Sequence, residues 1–199
     1  MNPIGVLCLQ GDFREHLQTF ESMGQETIRV RKPQDLEGIS GLVIPGGEST
    51  VIDKLSKSFA LRDPIIKHIH EGLPIFGTCA GLILLADRLK DAAPGQETFG
   101  GLDVVVQRNA FGSQVDSFEE DVDFDGISHS VHAAFIRAPI VTEIGDGVSV
   151  LAKLKDGRVV GVRQGNILGI SFHPEVTGET SIHEYFADMC RSANFSSNN

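Results

Sequence analysis

Over its first ninety residues the chain alternates short apolar runs with amphipathic stretches, and this alternation limits the fold more than any other feature. "IGVLCLQ", "ETIRVR", "GLVIPGG" and "PIFGT" read as buried strands. Between them, Phe13, Leu17 and Phe20 recur at helical spacing, with Asp12 and Glu15 forming a capping-box pattern and Gly24 offering a left-handed stop. "DPIIKHIHEG" carries Pro64 near a first helical turn and Gly72 at its end, and "AGLILLADRL" predicts a further helix. Strand-helix alternation of this kind implies βαβ units: a mostly parallel open sheet with helices on both faces.

Beyond the polar loop "APGQETFGG" the texture changes to strands: "DVVVQRN", "VHAAFIRA", "VSVLAKL", "VVGVRQ" and "ILGISF". "KDGR" and "GN" are hairpin connections, so the last three predict an antiparallel extension of the sheet. Ile182, Tyr185, Phe186, Met189 and Cys190 mark one face of a closing helix. No repeat or linker divides the sequence, which predicts a single domain over residues 1–199 with a flexible tail from about 193 to 199.

A formal net charge of −10, with no run of Lys or Arg, excludes nucleic acid and anionic membrane surfaces as expected partners. Cys8, Cys79 and Cys190 are odd in number and scattered, which fits a reducing compartment. No basic leader or run of membrane-spanning length is present, so a cytoplasmic location is expected.

"PIFGTCAGLILLA" interrupts an apolar run with a cysteine flanked by glycines. A strand turning sharply into a helix presents its turn residue above the sheet only if neighbouring residues are small, and Gly77 and Gly81 meet that need. At such a helix start, the sulfur of Cys79 would feel a partial positive charge that favours thiolate. On this pattern alone Cys79 reads equally well as a nucleophile or as a small buried hydrophobe.

A nucleophile needs a base. His68 and His70 lie two apart on a predicted helix, against the spacing of paired metal ligands, and read as surface residues. His16 and His183 fall on predicted helices, and His129 and His132 in or beside a polar loop. His173 differs: it ends "ILGISF" and opens "HPE", where Pro174 holds the preceding residue extended. In an extended segment Glu175 projects to the same side as His173 and can orient its ring. The alternative for "HPE" is a strand-ending turn with a solvated charge pair. In "GLVIPGGEST" a glycine loop follows another strand, and acyl transfer needs such a loop to aim N–H groups at an oxyanion. Gly47 and Ala80 are the expected donors; a simple turn is the alternative, and the Gly-Lys-Ser/Thr ending of a phosphate loop is missing.

Together "PGGEST", "GTCAG" and "HPE" resemble the class I glutamine amidotransferases, flavodoxin-like α/β proteins with a Cys-His-Glu triad. Five ordered blocks, "GLVIPGGEST", "GTCAGLILLA", "RNAFGSQVDSFE", "AFIRAP" and "GISFHPE", are similar to the glutaminase subunits of pyridoxal 5'-phosphate synthases. This resemblance implies Cys79 as nucleophile, His173 as general acid and base, and Glu175 as its orienting partner. It implies glutamine contacts from Gly47, Glu48, Ser49, Arg108, Ile136 and Arg137. It implies a synthase subunit as partner in a large hetero-oligomer; neither step of the amide hydrolysis calls for a metal or organic cofactor, and docking is expected to complete the oxyanion loop. Many relatives carry arginine where Ser113 stands. Rival readings are a glutaminase serving another acceptor, such as imidazole glycerol phosphate synthase, and a non-catalytic regulator or redox sensor. Retention of "HPE" argues against the regulator and the sensor, since neither needs a base with its orienting acid.

Overall fold

The computed structural model describes residues 2–110 and 117–197; Ser113 and the centre of the "RNAFGSQVDSFE" block lie outside them. In chain order the first half runs β1 (Ile4–Leu7), α1 (Phe13–Ser22), β2 (Thr27–Val30), β3 (Gly41–Ile44), α2 (Ser49–Ser58), α3 (Arg62–His70), β4 (Ile75–Thr78), α4 (Ala80–Leu85) and β5 (Ala86–Lys90). There follow β6 (Leu102–Gln107), β7 (Ser117–Val122), β8 (Val131–Ile136), β9 (Ile140–Ile144), β10 (Ser149–Lys153), β11 (Val159–Gln164) and β12 (Ile167–Ile170). Helices α5 (Pro174–Thr177) and α6 (Ser181–Ser197) close the chain.

The main sheet has the order β2-β1-β3-β4-β12-β11-β9-β6-β5, with β10 pairing β11. Strands β2, β1, β3, β4 and β12 are mutually parallel. The hairpins β10–β11 and β11–β12 form the expected antiparallel extension. Strands β7 and β8 pair separately.

Successive residues of a strand face opposite sides, and here both sides are covered. Val43 and Phe76 join Phe20 of α1 and Ile182 and Phe186 of α6 in one core. Leu42, Ile44 and Ile75 join Ile52 of α2, Ile65 of α3 and the leucines of α4 in the other. That two-sided burial explains why these strands read as continuous apolar runs.

Two local expectations need correction. The helix predicted over "AGLILLADRL" stops at Leu85, and Ala86–Lys90 becomes strand β5 beside β6. In a continued helix the Leu84 carbonyl would accept from the N–H of Arg88; instead the Phe99 and Gly100 N–H groups donate to it, at 2.6 and 3.2 Å. Asp12 holds the N-cap position of α1 without a capping bond from its side chain, its φ/ψ of −85°/34° being outside the extended region a cap requires. Its carboxylate faces His173 instead, 3.6 Å from Nδ1.

Because β1, β3, β4 and β12 run parallel, the segments that follow them open at one rim of the sheet. The chain leaves β1 for β2 on one side and β3 lies on the other, so the reversal of strand order falls at this centre, where open α/β sheets bind ligands. Gln10, Gly47, Cys79 and His173 follow these four strands in that order.

Candidate active site

Cys79 occupies the turn between β4 and α4 with φ 48° and ψ −98°, a strained conformation for a residue with a side chain. Two glycines make it possible by leaving space. A Cβ on Gly77 would fall 2.6 Å from the Gly81 carbonyl carbon, and one on Gly81 would fall 2.1 Å from the Ile44 oxygen. The elbow therefore packs backbone against backbone. The thiol faces the cavity and points at the Ile136 carbonyl oxygen, 3.9 Å away.

His173 arrives from the end of β12, its N–H donating to the Ala134 carbonyl of β8 at 2.9 Å. Its Nδ1 lies 2.7 Å from Glu175 Oε1. The contact matches the expectation, but the backbone path differs: Pro174 and Glu175 begin α5 rather than continue the strand. Burial works against a charged imidazole here, yet hydrogen bonding and charge from Cys79 and Glu175 push the His173 pKa up to about 10. Burial pushes the Glu175 carboxyl up, with the His173 charge pulling it back. The arrangement favours a charged His173 imidazolium, hydrogen-bonded to Glu175 and facing the Cys79 sulfur.

Cys79 and His173 share a cavity of about 340 Å³ with Gly47, Glu48, Ser49, Arg108, Ile136 and Arg137. Glu175 sits behind His173, and Ala80 is buried next to Cys79 at the start of α4. The residues expected as triad, oxyanion donors and glutamine contacts are thus at or against one cavity. Gly46 brings the glycine loop close: a Cβ there would meet His173 Cε1 at 2.4 Å. Gly47 has φ +146°, and the following Glu48 N–H donates to Gln10 Oε1 at 2.8 Å.

Five further residues escaped the sequence reading as part of the site. Gln10, Asp12, Ile83 and Asn109 line the cavity. Gln96, from the polar loop, donates to Ser49 Oγ at 2.9 Å and accepts from Arg108 at 3.0 Å. Arg108 also pairs with Glu48 at 3.2 Å. The loop is clamped by buried Asp53, which accepts from Arg62 at 3.1 Å and from the Glu97 N–H at 3.2 Å. Nothing local in "APGQETFGG" signals this, because the contacts span more than forty residues of sequence.

The fold, with a cysteine on the strand-to-helix elbow, is that of the class I glutamine amidotransferases. A solved structure titled "Crystal structure of glutamine amidotransferase" superposes with a TM-score of 0.88 at 48% identity, covering 94% of this chain and 98% of that one. A profile of the SNO glutamine amidotransferase family matches residues 6–192, and the chain belongs to that family. It is 58% identical, over 96% of its own length and 91% of theirs, to the pyridoxal 5'-phosphate synthase subunits PdxT of Clavibacter sepedonicus and Clavibacter michiganensis subsp. michiganensis (strain NCPPB 382).

Proposed function

We infer that the chain hydrolyses the side-chain amide of L-glutamine and supplies the ammonia for pyridoxal 5'-phosphate synthesis. The observation that carries this reading is the convergence of Cys79, from the end of β4, with the His173–Glu175 pair, from the end of β12, on one polar cavity. The names and identity of the Clavibacter relatives support the product.

In the reaction, the Cys79 thiolate adds to the carboxamide carbon, and the carbonyl π electrons move to oxygen. Amide N–H groups of Gly47 and Ala80 stabilise that oxyanion. As the tetrahedral intermediate collapses, the His173 imidazolium gives its proton to the departing nitrogen and ammonia leaves. A γ-glutamyl thioester remains on Cys79. Neutral His173 then takes a proton from water, the resulting hydroxide adds to the thioester carbon, and collapse releases glutamate and the thiolate. Glu175 keeps the ring turned toward sulfur and stabilises its charge in both halves. Arg108, Glu48, Ser49, Ile136 and Arg137 surround the amino-acid end of glutamine. Arg137 at φ 43° holds a strained turn directly after Ile136, whose carbonyl faces the thiol.

Ammonia is mostly protonated at neutral pH and then not nucleophilic, so direct transfer to a synthase subunit in a hetero-oligomer is the arrangement the chemistry favours. Docking of that subunit completes the oxyanion loop, which carries the Gly47 donor next to Glu48, whose own N–H is already taken by Gln10 Oε1. A cytoplasmic setting fits this role, and no helix among the described residues is long and apolar enough to cross a membrane. The test is ammonia release from glutamine with and without the synthase subunit. A rate that rises with the subunit and disappears in Cys79→Ser is expected; equal rates with and without the subunit would refute the docking step, and activity retained in Cys79→Ser would refute the nucleophile.

A further inference from the structure

Two histidines that the mechanism above does not use are packed directly behind it. His16 of α1 and His183 of α6 are fully buried, with His16 Nδ1 2.9 Å from His183 Nε2. The other nitrogen of His16, Nε2, lies 3.1 Å from Thr78 Oγ1 and 3.5 Å from Glu175 Oε1. Rings of Phe20, Phe76 and Phe186 border the pair and its surroundings, so no solvent screens these contacts. Thr78 immediately precedes the nucleophile, and Glu175 is the acid that orients its base. One side chain thus touches both arms of the site from the rear.

The carboxylate decides which nitrogen of His16 carries the proton. A bare Nε2 would set its lone pair against an ionised oxygen that His173 already uses, in a medium of low dielectric. With the proton on Nε2, the same nitrogen donates to Thr78 Oγ1 and attracts Glu175 Oε1, and the His183 Nε2–H in turn donates to Nδ1, which leaves His183 Nδ1 as a bare acceptor without a hydrogen-bond partner among the described residues. Both contacts to the Glu175 carboxylate fall on Oε1, and because Oε2 is buried without a hydrogen-bond partner among the described residues, the side-chain donors at Oε1 are the ones that stabilise the carboxylate. Burial holds both histidines neutral, His183 with a pKa of about 4, so the donor persists across the working range. The charged and titratable groups near His16 are Glu175 and His173 at the site, with Cys79 and Asp12 beyond them, and His183 behind, which itself feels the charge of Glu179.

We propose that His16, backed by His183, is a positioning residue of the glutaminase site. Its Nε2–H, shared between Thr78 and Glu175, holds the Glu175 carboxylate ionised and aimed at His173. The proposal rests on the glutaminase reading for its effect on turnover, but its first consequence is readable without glutamine. A Glu175 deprived of this donor protonates at higher pH, supports the imidazolium less well, and delays formation of the Cys79 thiolate.

The experiment follows the rate of Cys79 alkylation by iodoacetamide against pH in the full chain, located by mass spectrometry, since Cys8 and Cys190 are buried away from the cavity. Two substitutions separate position from packing. Gln places an amide N–H where His16 has Nε2, and Asn places one where it has Nδ1. His16→Asn is expected to move the acid limb of the alkylation profile up by about one pH unit and His16→Gln by less, an ordering set by hydrogen bonding to the ionised carboxylate. With the synthase subunit present, turnover should fall in the same order while KM changes less than about twofold, the pattern of a contact that matters to chemistry rather than to substrate binding. A His16→Asn profile that overlays the wild type, or a Gln variant displaced as far as the Asn variant, overturns the proposal. Should either His16 variant fail to fold, His183→Gln replaces it: Gln keeps the rear donor and must shift the limb less than His183→Leu, and equal shifts overturn the proposal. Wild-type alkylation with normal pH dependence but no ammonia release would sink the glutaminase reading instead, leaving the geometry of His16 intact.

Discussion

Gly81 lies against Ile44 so closely that a single added methyl at Gly81 would sit 2.1 Å from the Ile44 carbonyl oxygen. The obstructing atom is backbone of a central strand, buried on both faces, and cannot move aside. Gly81→Ala must therefore push α4 off β3 and displace the Cys79 elbow. A loss of about 2–3 kcal/mol is expected, as for other overpacked core sites, readable as a lowered urea midpoint with unchanged slope. Retention of wild-type stability would show that the close approach is not a constraint.

Replacing Cys79, the proposed nucleophile, tests the chemistry with little disturbance to the fold. Cys79→Ser keeps the shape of the elbow but replaces a readily ionised thiol by a hydroxyl, so ammonia release should fall by at least ~10³-fold while glutamine still binds. Mass spectrometry should detect the γ-glutamyl adduct on the wild-type chain and not on the variant.

Glu175→Gln leaves the volume of the side chain unchanged and removes its charge. The imidazolium of His173 then loses its orienting acid, and kcat should drop by about 10²–10⁴-fold with KM little affected. Steady-state kinetics in the presence of the synthase subunit measure the split.

Arg108 is tied to Glu48 at 3.2 Å and to Gln96 at 3.0 Å on the wall of the cavity, and under the proposed function it holds the amino-acid end of glutamine. Its removal should cost binding rather than chemistry. Arg108→Ala is expected to raise KM about tenfold or more, in keeping with the loss of a charged hydrogen bond, and to lower kcat by much less. Isothermal titration of glutamine into the Cys79→Ser background checks the binding arm separately.

Acid stability follows from the buried histidines. His183 titrates near 4 in the folded chain, against about 6.5 when unfolded, because burial disfavours its charge. The unfolded chain therefore binds protons that the native one refuses below pH 6.5. Stability is fully present above that pH and is lost as pH falls toward 4, on the order of 3 kcal/mol for this group alone. His16 adds to the same trend. Thermal melts from pH 7 to 4 should show the decline, and His183→Gln should flatten it even though its melting temperature at pH 7 is lower.

Much of the site was legible because its chemistry is local. Gly77, Cys79 and Gly81 fall in five consecutive residues, and "HPE" brings the imidazole of His173 and the carboxylate of Glu175, the proposed base and orienting acid, within two positions. The reason behind the second contact was wrong in detail, since α5 begins at Pro174 rather than after an extended segment, but either path brings Glu175 to the ring. Asp12 shows the limit of a local rule: a capping-box spelling was present, and the β1–α1 turn aims its carboxylate at His173 instead. Strand β5 shows another, because the loss of helix after Leu85 depends on Phe99 and Gly100 reaching the Leu84 carbonyl.

The sequence by itself determined the parallel half of the sheet, its antiparallel hairpins, the strained cysteine turn and the residues able to serve as base and acid. Periodicity, glycine spacing and proline are properties of neighbouring residues. Tertiary structure alone decided that β4 and β12 pair in parallel and so deliver Cys79 and His173 to the same rim. It alone placed Gln96 on Arg108 and stacked His183, His16 and Glu175 in one line. Such contacts join segments up to 167 residues apart, and burial and packing, which act across the whole chain, select them.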